Sequence, residues 1–493
     1  MTPPVRRARP RAAAQRFGAA AWPPLAVLGA HGAAGSSSYL VLPVGVLVVA
    51  CVLAAYAYLT RKRRLNSRTT PGGSGARPRP VPPAAPAFDV LDTDTRAALV
   101  AADEAVRTSE EELDSARAAA GAEAVRPFAD ALAHARSQLA AAFRLRQELD
   151  EGRPEDEAAR RGVLAEIAAR CEDAGRRLDA EADAFDRLRA LDRDAAPAVA
   201  AAETVFRELT ARTGAAEATL TALLRQYAPA ASAPVARHVE EAKDRLMFAT
   251  TSLGGARQAL DAGDGAGAAA WVRAAEGAVD QAAVLVASVE RRERELSDAA
   301  RMLPGLLAAY EAGHAHPAEL AAVREESTAG PYDPLDALRR VHRAGGPTDK
   351  VDTAALDTAT LVARASVAAA GVHIATHRGA VGSHARTGLA AALSRLESAP
   401  PAASDPAGAL HAAAAADALA RGALARSEQD AAAYGQRDVA GRAGDGGLGG
   451  ALLGGIVLTV PDGEPGDGTR AHAGGPACFG GPATRARRAG GSW

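Results

Sequence analysis

The chain has 493 residues, 48% of them apolar and only 4% aromatic, and alanine alone makes up roughly a quarter, above its usual share. This composition excludes a β-sandwich or a doubly wound sheet, whose strands need branched and aromatic side chains. It favours helices packed through small residues, because alanine is the best helix former. Of the 57 basic residues, 12 stand before residue 81, where no acidic residue occurs, so the other 45 face all 59 acidic ones. An acidic body of this kind argues against a nucleic-acid partner, which would call for a basic face.

Residues 1–38 are basic at Arg6, Arg7, Arg9, Arg11 and Arg16. With the Pro-broken apolar stretch from Trp22 to Ala34, they can be read as the remnant of a signal peptide. Tyr39 to Leu59 is uncharged and mostly apolar, about 21 residues, enough to cross a hydrocarbon core of roughly 30 Å as a helix. Residues 39–60 are therefore expected to form a transmembrane helix. Tyr39, Tyr56 and Tyr58 lie near its ends, where amphipathic rings favour the interface. Arg61, Lys62, Arg63 and Arg64 follow at once. Such a cluster can be a nucleic-acid patch or a stop-transfer anchor, and its position against the span favours the anchor. These seven residues make up the predicted membrane anchor. The bilayer is the first predicted partner, and the C-terminal body is expected in the cytoplasm. Residues 61–90 are basic and then rich in Pro and Gly, as linkers are.

The body is expected to begin at Asp92-Thr93-Asp94-Thr95, a set of N-cap residues. Apolar residues then recur every seven positions: Leu99, Val106, Leu113; Leu164, Cys171, Leu178, Phe185; Val199, Phe206, Thr213, Leu220, Tyr227. Val239, Leu246, Leu253, Leu260 and Val272, Val279, Val286 continue the pattern. Companions such as Ile167, Ala174, Leu188, Ala202, Leu209, Ala242, Ala249, Ala275 and Ala282 are offset by three. These are heptad a and d positions. Turn-like breaks at Gly152-Arg153-Pro154, Ala195-Ala196-Pro197, residues 228–234 and Gly263-Asp264-Gly265 separate helices of about 28 to 37 residues. Short turns make neighbouring helices antiparallel.

The predicted fold is thus all-α: a single transmembrane helix, then an elongated antiparallel coiled-coil bundle over 91–303 and shorter helical hairpins over 304–435. Residues 436–493, rich in glycine, read as a disordered tail. Asp264, Asp333 and Asp405 recur about 70 residues apart, each fit to cap a helix. Gly263 to Gly267 lacks the preceding strand and lysine of a phosphate loop.

Few residues suggest chemistry. His373 and His377 are one helical turn apart and His384 is close, but no nearby Cys or carboxylate completes a zinc set, so surface histidines are the expectation. His314 and His316 precede Pro317 in a predicted loop. Ser383 lacks the second glycine of a nucleophile elbow. Glu110-Glu111-Glu112 reads as a solvated helix face paired with Arg at helical spacing. Cys171 holds an a position and reads as a small core residue. The three cysteines, Cys51, Cys171 and Cys478, show no framework spacing. No catalytic, cofactor or metal residue is predicted, and the chain is not expected to be an enzyme.

Several segments resemble the cytoplasmic region of TPM-domain membrane proteins of high-GC Gram-positive bacteria. They are Val106 to Leu113, Ala141 to Asp150, Arg176 to Leu191, Ala242 to Leu253, Val272 to Ala282, Ala329 to Val341 and Thr376 to Thr387. The resemblance implies a signal peptide, an extracytoplasmic TPM domain, one span, a helical cytoplasmic region and a Gly-rich tail. Fewer than 40 residues precede the predicted span, too few for a compact domain, so the TPM residues cannot be carried over. Together these readings predict a single-pass membrane-anchored helical scaffold that meets a protein partner, or itself, through its helices. The alternatives are a truncated copy of a TPM-type, phosphatase-like protein and a coiled-coil signal relay.

Overall fold

A computed structural model describes residues 87–312, 316–345, 353–438, 447–461 and 471–489. The chain divides into two units, Met1–Ala84 and Ala85–Trp493, and all described residues belong to the second. The predicted anchor at Tyr39, Tyr56, Tyr58, Arg61, Lys62, Arg63 and Arg64 lies outside the described residues, as does the basic N-terminus.

The bulk of the second unit is helical. Three long helices, α1 (Phe88–Ala120), α2 (Arg126–Asp150) and α3 (Glu157–Arg189), share one core built from Leu99, Val106, Leu113, Phe128, Leu132, Ile167, Cys171, Leu178 and Phe185. A second group, α4 (Ala196–Gln226), α5 (His238–Ala262) and α6 (Gly265–Ala312), closes around Val239, Leu246, Val279, Leu285, Val286 and Val289 at one end. Val199, Leu253, Ala268 and Val272 fill the other end. The turn at Gly263, with φ +72°, folds α6 back along α5. The distal half of α6 packs with α7 (Pro317–Ala329), α8 (Pro334–Gly345) and the start of α9 (Thr353–Thr376). The rest of α9 packs with α10 (Ser383–Glu397) and α11 (Pro406–Asp438).

The heptad positions are buried along these seams, apart from Leu188, Phe206 and Leu260, which are partly covered. Alanine earns its place here: Ala242, Ala249, Ala256, Ala275 and Ala282 are all fully buried. The three aspartates cap helices, with Asp264 and Asp405 accepting from Gly267 N at 2.9 Å and Gly408 N at 2.8 Å. Asp333 accepts from Asp336 N at 3.1 Å.

Other expectations need correction. Helix α1 starts at Phe88, not at Asp92. Thr93 and Thr95 donate to carbonyls four residues back, at Asp89 and Leu91, and Asp92 is drawn to Arg146, so the presumed capping group sits inside the helix. Gly121, with φ +85°, ends α1 where no break was read, and Pro127 opens α2. Helix α6 runs through Pro304, so the boundary at 303 falls within it. Proline removes one backbone hydrogen bond, and buried Leu303, Leu306 and Leu307 hold the helix together across it.

The largest correction concerns the tail. Of residues 436–493, the described part carries α12 (Leu448–Leu453), strands β1 (Val457–Pro461) and β2 (Ala471–Pro476), and α13 (Pro482–Ala489). The strands pair antiparallel, with Val457 opposite Pro476. The glycines enable close contact instead of disorder. Gly455 takes φ +62° beside the stem of Arg378, and Gly481 passes directly over the backbone of Gly175 on α3. Phe479 is stacked on Phe185, with centroids 4.2 Å apart, inside the α1–α3 core. Leu452, Ile456 and Val457 enter the α4–α6 core.

Among the described residues one helix, α9, is long and apolar enough to cross a membrane. Half of its most apolar stretch is buried against the body.

Candidate functional site

Where α1, α6 and the C-terminal segment (residues 447–461 and 471–489) meet, a narrow, partly open cleft of about 20 Å³ forms. Its walls carry Thr108, Glu111, Glu112 and Ser115 from α1, and Arg273, Glu276, Gly277 and Asp280 from α6. Arg378 closes it from the turn after α9, with Ile456 and Ala477 from the C-terminal segment. Segments far apart in the chain converge here, and they include three of those that carry the family resemblance: 106–113, 272–282 and 376–387.

A network of charges surrounds the cleft. Arg378 is almost wholly buried and grips Glu111 with two bonds, at 2.7 and 2.9 Å. Arg386, also buried, is paired with Asp103 and donates to the carbonyls of Arg378 at 2.6 Å and Val381 at 3.1 Å. Glu112 lies between Arg273 at 3.3 Å and Arg189 at 3.7 Å, and Arg189 also pairs with Glu276. From the tail, Arg485 donates to Thr108 at 3.2 Å and approaches Glu104 at 3.4 Å. Arg488 pairs with Asp186. Charges this deep persist only when paired.

Carboxyls in and around the cleft shift in opposite directions. Burial would raise the Asp103 carboxyl, but Arg107 and Arg386 hold it below the usual range. Glu276 goes the other way: burial outweighs Arg189 and pushes it to about 7. Asp280 is held well above its ordinary value by burial and by Glu111, Glu276, Asp114 and Glu112. Among the described residues no hydrogen bond or ion pair holds the Asp280 carboxyl. Burial in the cleft therefore favours the neutral form of both carboxyls.

The earlier reading of Glu110-Glu111-Glu112 as a solvated face fails. Glu111 pairs with Arg378 in the turn after α9, Glu112 with Arg273 on α6, and Glu110 with Arg136 on α2. The histidines divide. His373 and His377 are stacked with centroids 4.2 Å apart and are buried or half-buried, so they are not the surface histidines expected. His384 does not join them: it is half-exposed, 3.7 Å from Asp150. Ser383 opens α10, and His316 precedes the first turn of α7, while His314 lies outside the described residues. Cys171 is a core residue whose thiol burial pushes up to about 12. Burial also raises the Cys478 thiol, although Arg488 and Arg273 pull it down.

Two curated relatives resemble this chain. They are UPF0603 proteins of Mycobacterium tuberculosis, one from strain CDC 1551 / Oshkosh and one from strain ATCC 25618 / H37Rv. Each is 32% identical over 442 residues, covering 81% of this chain and 66% of the relative. The chain thus spans just under two thirds of their length. No family model and no solved structure matches it.

Proposed function

We propose that this chain is a UPF0603-type membrane protein whose helical body serves as an anchored scaffold, binding a protein partner or another copy of itself through its helices. The carrying observation is the charged node at the cleft. Asp280 apart, its arginines and carboxylates are paired with each other, tying α1, α3, α6, the α9–α10 turn, α10 and the C-terminal segment into one arrangement. A platform that must present fixed helix faces gains from such a tie, because pulling a buried pair apart leaves an uncompensated charge.

The anchoring half of the proposal rests on the 21 uncharged residues from Tyr39 and the basic cluster after them. In the same reading the body is a TPM-type cytoplasmic region with coiled-coil seams. Membrane fractionation with protease protection tests the topology. The body should stay with membranes after a salt wash and resist protease added to intact cells. Digestion from outside would reverse the orientation, and release by salt would remove the anchor. Detergent-solubilised protein should bring down a stoichiometric partner or sediment as an oligomer. A monomer without a partner would contradict the scaffold.

A further inference from the structure

Three histidines gather where α9 ends. His373 and His377 are stacked, their rings within 2° of parallel, and His238 at the start of α5 feels both charges. Each gives Nδ1 to a neutral partner. Ser427 on α11 stands 2.6 Å from His373, and Ser288 on α6 stands 2.6 Å from His238. His377 meets the Thr376 hydroxyl at 3.0 Å and the His373 carbonyl at 3.1 Å.

Cations dominate the surroundings. Helix α5 brings Arg245, Glu241 and Asp244, which faces Arg245; the turn before it brings Arg237, α6 brings Arg291, and the α9–α10 turn brings Arg378. Asp430 of α11 is spent on the Gly382 amide at 2.9 Å. Glu241 is the facing carboxylate. It stands 3.9 Å from His377 Nε2 and is shared with Arg237 at 3.7 Å.

This cluster is wired to the C-terminal segment. Arg245 donates to the Thr376 carbonyl and to Gln281 Oε1, both at 3.1 Å. Gln281 in turn donates to the Gly454 carbonyl at 2.6 Å, and Gly379 N donates to the Leu453 carbonyl at 2.9 Å.

We propose that the stacked His373–His377 pair is an acid-sensitive latch for the C-terminal segment. With both rings neutral, the stack and Arg245 coexist. One added proton can be met by Glu241. A second sets two imidazolium rings face to face beside Arg245, and the bonds running to Leu453 and Gly454 give way.

Burial first, then the neighbouring charges, holds His373 and His377 down at about 4. A released chain, with ordinary histidines near 6.5, binds protons that the latched chain refuses. The latch is therefore intact above about pH 6.5 and is lost as pH falls toward 4. Glu276 and Asp280, beneath the same segment, act oppositely, since protonation favours their burial. Substitution must separate the two effects.

The test is hydrogen exchange on the full chain in detergent, with rates corrected for the intrinsic effect of pH. Between about pH 7.5 and pH 5, protection of residues 448–458 should fall at least ~tenfold while the α2–α3 hairpin keeps its protection. H373Q/H377Q should abolish that fall, and H384Q should retain it. Unchanged protection in the wild type, an equal loss in α2–α3, or a fall that survives in the double variant would overturn the latch. If the double variant does not fold, H377Q alone carries the same test: it should reduce the fall, and an undiminished fall would overturn the latch.

Discussion

Along α5 and α6 the helices meet through Val239, Ala242, Leu246, Ala249 and Val279, Ala282, Val286, small and branched residues with no polar atom to satisfy. A few residues away, α6 meets α1 through Arg273 and Glu112 and meets α3 through Glu276 and Arg189, and the turn after α9 meets α1 through Arg378 and Glu111. Both contacts exclude water, but they fail in different ways. An apolar seam loses stability in proportion to the volume removed. A buried ion pair that loses one partner leaves a stranded charge. Close packing sets how near the helices lie, and the charged node adds contacts that fail when one partner is lost.

Removing one node partner should therefore have the largest effect. Arg386→Met strands Asp103 with only Arg107 beside it and should cost about 3–5 kcal/mol in urea unfolding. Adding Asp103→Leu should recover much of that loss. A cost below ~1 kcal/mol would show that the node tolerates separation. Next comes Phe479→Ala, which empties a slot between Phe185 and Phe128 and should cost about 3–5 kcal/mol. The loss should appear as faster amide exchange in α3, since Phe479 belongs to that core.

The apolar seams are the part of this protein that a reader of the sequence can find. Period-seven spacing exposes them because one helix face repeats with the chain. The node has no such period. Glu112, Glu276 and Arg378 stand more than 100 residues apart, and on its own helix each looks like a solvated charge. The only sequence signal was that the segments holding them carried the family resemblance. The C-terminal segment misleads for another reason. Its glycines look like disorder by composition, while Gly447, Gly455 and Gly481 provide left-handed turns or bare backbone against the body. Phe479 is a single aromatic in that stretch, too little for a pattern.

A third and smaller difference separates the two regions by pH. His342, among apolar residues of α6, α8 and α9, hydrogen-bonds Tyr310 and Thr358 and is held by burial at about 4. The unfolded chain takes up its proton first, so this stability is present above about pH 6.5 and lost toward pH 4. His342→Gln should narrow the gap between urea midpoints at pH 7 and pH 5; an unchanged gap would remove His342 from the account. The mildest change should be Leu178→Met in the α1–α3 seam, below about 1.5 kcal/mol because volume is nearly conserved. A loss as large as that of Arg386→Met would erase the distinction between seam and node.

The central claim is that the C-terminal segment is a working part of the body, inserted into two helical cores. Ending the chain at Asp438 tests it most directly, with amide exchange read in α3 around Phe185 and in α6 around Gln281. The account predicts a lower melting temperature and lost protection at both places. A shortened chain with the same melting temperature and the same protection would contradict it.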